Sequence, residues 1–224
     1  MFLGGFMSDM TGTKAMALEA FCRDQGQAFL RFDYTGHGQS SGKFIDGTIG
    51  SWAKDALAVL DTVAKGPQIL VGSSMGGWIM LLLAHARPER IVGLVGVAAA
   101  PDFTEDLVGN WITAKNRAAL DRDGICYLPD EKGEPTYPIT SALIEDGRNH
   151  LVLRGEIPIH CPIVLVQGMQ DPEVPYETSI KLARRLAASD VTVTLVKNGD
   201  HRMSDPPSLE HLFAALERVL SKVG

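Results

Sequence analysis

Three side chains of unlike chemistry, far apart in the chain, are the residues best suited to act together. Ser74 lies in "LVGSSMGGW" (70–78), where only the register Gly72, Ser73, Ser74, Met75, Gly76 satisfies G-x-S-x-G. A short apolar run precedes the motif and a long one follows it, the pattern of a strand turning sharply into a helix. On such a turn a serine is held at strained backbone angles, and glycines make room for the backbone that passes close by. The amino terminus of the helix offers free N–H groups and a positive dipole end to a developing oxyanion. A tight structural turn is the plainer reading of the same residues. A serine hydroxyl attacks only if a base takes its proton and an acid orients that base, so the available partners decide between the two.

Six histidines are present. His201, in "KNGDHRM", follows the last strand pattern and precedes the last helix pattern. His37 sits between glycines in "DYTGHGQSSG" and reads as part of a turn. His85 falls on the apolar helix after Ser74, where a buried packing histidine is expected; His150 and His160 belong to an irregular stretch or its exit, and His211 to the final helix. For the acid, Asp171 in "QGMQDPEVP" follows a strand and precedes a helix opened by Pro175. Asp102, just after the run ending at Val97, is a rival able to reach the same imidazole. Asp200 is a weaker candidate, because neighbours in sequence rarely point at each other.

These residues need a scaffold that delivers them to one place. Short, branched apolar runs predict buried strands at Gln27–Asp33, Gln68–Gly72, Arg90–Val97 and Pro162–Gly168. Val191–Val196 alternates with threonines, as a strand nearer the sheet edge does. Helical stripes lie between them: Trp52, Ala56, Val59, Leu60 and Val63; Tyr176, Ile180, Ala183 and Ala187; Leu209, Leu212, Phe213, Leu216 and Leu220. Alternating strand and helix implies a parallel sheet covered on both faces, with ligands beyond the carboxyl ends of its strands. Ser74, Asp171 and His201 each follow a strand. From Pro101 to about Pro158 the rhythm fails, leaving an amphipathic piece (Leu107, Trp111, Ala114, Ala118) and the turn-rich "LPDEKGEPTYP". An excursion of that length is expected to be a functional lid.

Composition sets the outer limits. The chain has 224 residues, 45% hydrophobic and 21% charged, with a net charge of -6 that disfavours nucleic acid. Cys22, Cys126 and Cys161 are scattered, with no CxxC pair and no histidine at ligand spacing, so neither a disulfide framework nor a metal is expected. The apolar stretches around "RPER" are too short to cross a bilayer, and "MFLGGFMSDM" lacks the features of an export signal. A cytoplasmic location with free thiols is the expectation.

The chain order Ser, Asp, His, together with "RFDYTGHGQSSG", "VGSSMGGW", "VQGMQDPEVP" and "DHRM", resembles the α/β-hydrolase superfamily. With "GGFMSDMTGTKA" added, nearly the whole chain resembles the acyl-protein thioesterase and acyl-glucuronide esterase subgroup, known from mitochondrial depalmitoylating enzymes. The resemblance implies an α/β-hydrolase fold, with a core of residues 1–100 and 159–224 and a lid of 101–158. It carries a Ser74, Asp171, His201 triad and places oxyanion-hole donors at the backbone N–H groups of Phe6 and Met75. It implies hydrolysis of esters or thioesters through an acyl-enzyme, with no cofactor, on a small molecule or an S-acylated protein. Members of the family normally have one or two strands before the loop at Gly4, so a start placed late or a trimmed chain is expected. Lid residues Leu107, Trp111 and Ile112 are expected mostly to pack on the sheet, and Arg117, Arg122 and Arg148 to be solvated. A serine peptidase, or a non-catalytic ligand-binding protein on the same scaffold, are the competing readings. The oligomeric state is not legible.

Overall fold

The computed structural model describes residues 1–129 and 133–223. Its centre is a five-stranded parallel sheet built from β1 (Phe2–Leu3), β2 (Gln68–Ser73), β3 (Ile91–Val97), β6 (Ile163–Gly168) and β7 (Val191–Val196), side by side in that order. The inner strands read as unbroken apolar runs because both of their faces are covered. Leu70, Leu94 and Leu165 pack into one core, beneath α2 (Ile49–Thr62) and α3 (Met75–Ala86); Val71, Val95 and Val164 pack into the other, beneath α1 (Thr13–Asp24) and α9 (Pro206–Val223). The fifth helix of this core, α8 (Glu177–Arg185), follows β6. α2 starts where Thr48 and Ser51 cap each other's backbone, and α3 is apolar on every side because it is buried on almost every side.

The register aligns the working ends of the strands. Ser73 stands opposite Val97, Val97 opposite Val166, and Val166 opposite Thr194, so the chain leaves β2, β3, β6 and β7 at one rim. β7 forms the far edge, as its threonine alternation predicts. The expected strand Gln27–Asp33 is a correction. That stretch lies beside β1, where Phe2 N–H donates to the Leu30 carbonyl at 2.8 Å, but it forms no ladder. β1 is only two residues long, too short a partner for the repeated pairing that makes a strand.

Residues 101–158 hold more order than their sequence shows. They form α4 (Phe103–Asp106), α5 (Val108–Trp111), α6 (Ala114–Asp123), an antiparallel hairpin of β4 (Ile125–Pro129) and β5 (Pro135–Thr140), and α7 (Ser141–Gly147). The single amphipathic piece expected around Leu107–Ala118 is two helices, α5 and α6. The hairpin was hidden because prolines and charges interrupt its alternation; 130–132, in the expected turn-rich run, lie outside the described residues.

Polar contacts tie this insertion to the core, among them Lys181 Nζ, which donates to Asp106 at 3.0 Å. Trp78 Nε1 donates to the His150 carbonyl at 2.9 Å, and the Gly50 N–H donates to Asp146 at 2.7 Å. Within the insertion, Asp102, fully buried and at a left-handed φ of 57°, accepts from the Val152 and Leu153 N–H groups at 2.8 and 2.9 Å and so joins the two ends of the segment. Burial pushes its carboxyl up, and those two donors oppose the shift. Asp102→Ala would strand both N–H groups, a loss of about 2–5 kcal/mol. Urea unfolding should read that loss, with Asp102→Asn retaining part of it.

Candidate active site

Ser74 occupies the corner between β2 and α3 at φ 53°, ψ -120°, a region that side chains rarely enter. The corner is fixed from both sides: Ser74 N–H donates to the Val97 carbonyl at 2.9 Å, and the Ser74 carbonyl accepts from Ala100 N–H at 3.0 Å. The glycines of the motif serve close approach. A Cβ on Gly76 would stand 2.0 Å from the Leu3 carbonyl oxygen, and one on Gly72 would stand 2.5 Å from the Gly76 carbonyl oxygen.

Asp171 and His201 reach the same corner from the ends of β6 and β7. Their loops touch backbone to backbone, which needs glycine: a Cβ on Gly168 would lie 2.3 Å from the Gly199 carbonyl oxygen. Gln170 N–H donates to that oxygen at 2.9 Å. His201 Nδ1 lies 2.8 Å from Asp171 Oδ2, and His201 Nε2 lies 3.0 Å from Ser74 Oγ. The buried Asp171 carboxylate also accepts from Glu173 N–H and Val174 N–H, each at 2.8 Å, and from Gln167 Nε2 at 2.9 Å. Gln167 is itself held by Ser179, whose Oγ donates to Gln167 Oε1 at 3.0 Å. Lys14 Nζ donates to the Arg202 carbonyl beside His201 and lies 3.4 Å from Ser204 Oγ; burial pushes its ammonium down to about 8.

The loop that carries Phe6 lies against the serine. A Cβ on Gly5 would stand 3.3 Å from Ser74 Cβ, and the Phe6 ring is clamped edge-on by Phe44, Trp52 and Phe103 at 4.7, 6.0 and 6.0 Å. Met75 opens α3, so its N–H is among the first amides of the helix, which have no intrahelical partner.

The other candidates go elsewhere. Asp102 is engaged with Val152 and Leu153, and Asp200 Oδ1 accepts from Met203 N–H at 2.9 Å. His85 is exposed, which corrects the expectation of a packing histidine, because it sits at the end of α3 where the helix leaves the core. His37 is buried, with its ring 5.3, 4.9 and 5.1 Å from those of Tyr34, Phe44 and Trp52, and its Nε2 has no partner. Leu107 is buried, Trp111 and Ile112 half-buried; Arg122 pairs with Asp123, and Arg148 with Glu105 at 2.9 Å. A separate cleft of about 890 Å³, lined by Pro101, Leu107, Leu153, Tyr176, Ile180 and Lys181 among others, includes none of Ser74, Asp171 or His201. Burial pushes all three thiols up, Cys161 to about 11, so none is a thiolate nucleophile at neutral pH. Among the described residues, no group of three or more His, Cys, Asp or Glu is arranged to hold a metal.

Residues 5–122 match the family model Hydrolase_4, described as serine aminopeptidase S33. The human palmitoyl-protein thioesterase ABHD10, named as mitochondrial, is 41% identical over 223 residues, covering 99% of this chain and 72% of its own. This chain belongs to the Hydrolase_4 family of α/β-hydrolases. The mouse α/β-hydrolase domain-containing protein 10 superposes at a TM-score of 0.91 with 40% identity, over 100% of this chain and 89% of its own. A putative hydrolase of Agrobacterium vitis does so at 0.93 with 44% identity, over 97% and 86%. The expected α/β-hydrolase fold, with its mostly parallel sheet between helices, is therefore the observed one.

The expected cytoplasmic location is corrected by these relatives. The cattle, orangutan, human and mouse proteins are all named as mitochondrial, not cytoplasmic. The expectation rested on the composition of the first ten residues and on three scattered cysteines, and neither feature identifies a compartment by itself.

The motif and binding-loop residues that reasoning from sequence missed are Gln167, Lys14 and Glu173. Gln167 carried a signal, since it is the one polar side chain in the run "PIVLVQG". Two outcomes test this site. Gly76→Ala should cost about 1–3 kcal/mol in thermal or urea unfolding and should lower turnover, because the new methyl pushes Leu3 and the loop beyond it away from Ser74. Burial lowers the His37 pKa below its ordinary value. The unfolded chain takes up that proton near pH 6.5 and the folded chain does not, so stability is lost as pH falls below about 6.5. His37→Phe should flatten this part of the pH dependence, read as unfolding free energies between pH 5 and 7; equal slopes would mean the ring is not held neutral.

Proposed function

We propose that this hydrolase cleaves thioesters and esters of apolar acyl chains by acyl transfer through Ser74, with His201 as base and Asp171 as its orienting acid. The observation that carries the reading is the unbroken Ser74–His201–Asp171 hydrogen-bond path, set on a corner where Ser74 projects to the rim. In the first step Ser74 Oγ attacks the acyl carbonyl while its proton passes to His201 Nε2. Asp171, accepting from Nδ1–H, fixes the tautomer and stabilises the imidazolium. The backbone N–H groups of Met75 and Phe6 receive the oxyanion. His201 then gives the proton to the departing thiol or alcohol. A water takes the vacated place, loses a proton to His201 and attacks the acyl-serine; the proton returns to Ser74 as the acid leaves. No metal or cofactor enters the cycle.

An apolar acyl group is supported by the aromatic side chains that lead away from the serine loop. Phe6 meets Phe103, which stacks on Trp111 at 6.1 Å, and Trp111 and Ile112 remain half-exposed on the insertion. Residues 101–158 act as the lid over the core of 1–100 and 159–224, with Phe103 and Trp111 on the side that meets Phe6. The palmitoyl-protein thioesterase relatives favour an S-acylated protein as the physiological donor.

The test is Ser74→Ala beside the wild type on acyl thioesters and p-nitrophenyl esters of graded chain length, with a fluorophosphonate probe. The variant should lose labelling and fall by roughly 10⁴-fold or more in kcat, and Asp171→Asn should fall by about 10⁴-fold. Wild-type turnover in Ser74→Ala would remove the nucleophile, and a wild type that neither labels nor turns over would favour the ligand-binding reading.

A further inference from the structure

Glu173 stands beside the reacting atoms and has no part in the cycle above. Its Oε2 is 3.4 Å from His201 Nε2, the nitrogen that also faces Ser74 Oγ at 3.0 Å. The backbone of Glu173 is fixed in place, because its N–H donates to Asp171 Oδ1 at 2.8 Å. The side chain itself is 58% exposed, so it faces the rim from which substrate arrives. The other carboxylate on this imidazole, Asp171, is buried and committed to Nδ1.

His201 Nε2 is also the point through which the leaving group must pass. To take its proton, the departing sulfur or oxygen comes within about 3 Å of Nε2. That places it within about 6 to 7 Å of the Glu173 carboxylate, inside the screening length of physiological salt. Any charge carried by the leaving group close to the breaking bond therefore enters the field of Glu173.

We infer that Glu173 is a specificity-determining residue that selects leaving groups, favouring cationic and neutral ones and disfavouring those that carry a negative charge near the scissile bond. The inference rests on the Ser74–His201 reading and narrows its substrate class. Thioesters on cysteines flanked by basic residues fit this filter. Esters of a sugar acid, whose carboxylate lies a few bonds from the leaving oxygen, do not.

The test uses three thioesters with the same acyl chain: S-octanoyl thiocholine (cationic), S-octanoyl 2-mercaptoethanol (neutral) and S-octanoyl 3-mercaptopropionate (anionic). The readout is the ratio of kcat/KM between the charged and neutral substrates, compared between enzymes, so that leaving-group reactivity and any general loss of activity cancel. Relative to the neutral thioester, Glu173→Gln should raise the anionic substrate by about three- to tenfold at low salt and lower the cationic one. Glu173→Lys should move both ratios further in the same directions, and salt near 0.5 M should shrink every difference. Ratios that stay within about 1.5-fold of the wild type for both variants would overturn the role of Glu173, with the Ser74–His201 reading intact. If the wild type hydrolysed none of the three and took no fluorophosphonate, that reading would fail and this inference with it.

Discussion

A buried carboxylate is costly to keep charged unless donors surround it, and the site is built around meeting that requirement at Asp171. Four donors converge on it: two successive backbone N–H groups from its own turn, the amide of Gln167 inside β6, and the imidazole of His201. The donors come from three parts of the architecture. The turn leads into α8, Gln167 is anchored in turn by Ser179 on that helix, and His201 arrives from the end of β7. The carboxylate is thus the node where the last two strands and the helix between them are cross-linked, and the direction of the imidazole follows from its balance.

Against that node, Ser74 is delivered by sterics rather than by polar bonds to its side chain. The left-handed backbone of the corner is held by the Val97 carbonyl and the Ala100 N–H, and the glycines on either side let β1, β2 and α3 approach until backbone meets backbone. The same solution recurs where Gly168 and Gly199 bring the acid and histidine loops into contact. Strain at one residue is tolerable because its surroundings are close-packed and its hydrogen bonds are complete.

The parts that were legible in the sequence are those whose cause is local. Apolar runs with branched residues marked β2, β3, β6 and β7, and stripes at helical spacing marked α2, α8 and α9. The rule that chemistry sits after parallel strands singled out Ser74, Asp171 and His201, and the structure brings these three within hydrogen-bond reach. What failed depended on partners distant in sequence. Gln27–Asp33 has the composition of a strand, but pairing is a property of two segments and β1 offers only two residues. The β4–β5 hairpin was masked by Pro135 and Pro138, which sit in a sheet of two strands where both are edges. Gln167, Lys14 and Glu173 are ordinary polar residues until α8, the Arg202 carbonyl and His201 Nε2 are set beside them. Asp102, plausible as an acid by position, is spent on holding the insertion closed at its carboxyl end.

The crowding around Gly72, Gly76 and Gly168 also divides the molecule into parts that tolerate redesign and parts that do not. No side chain, however small, can be added at those points without parting two backbones, so the rim that presents Ser74, Asp171 and His201 has a single workable form. The insertion is different: its short helices and hairpin meet the core through side chains such as Phe103, Leu143 and Leu153 and a few polar contacts, not through glycines that bring backbone against backbone. An engineer wishing to retarget this hydrolase would repack side chains of the insertion and leave the frame alone.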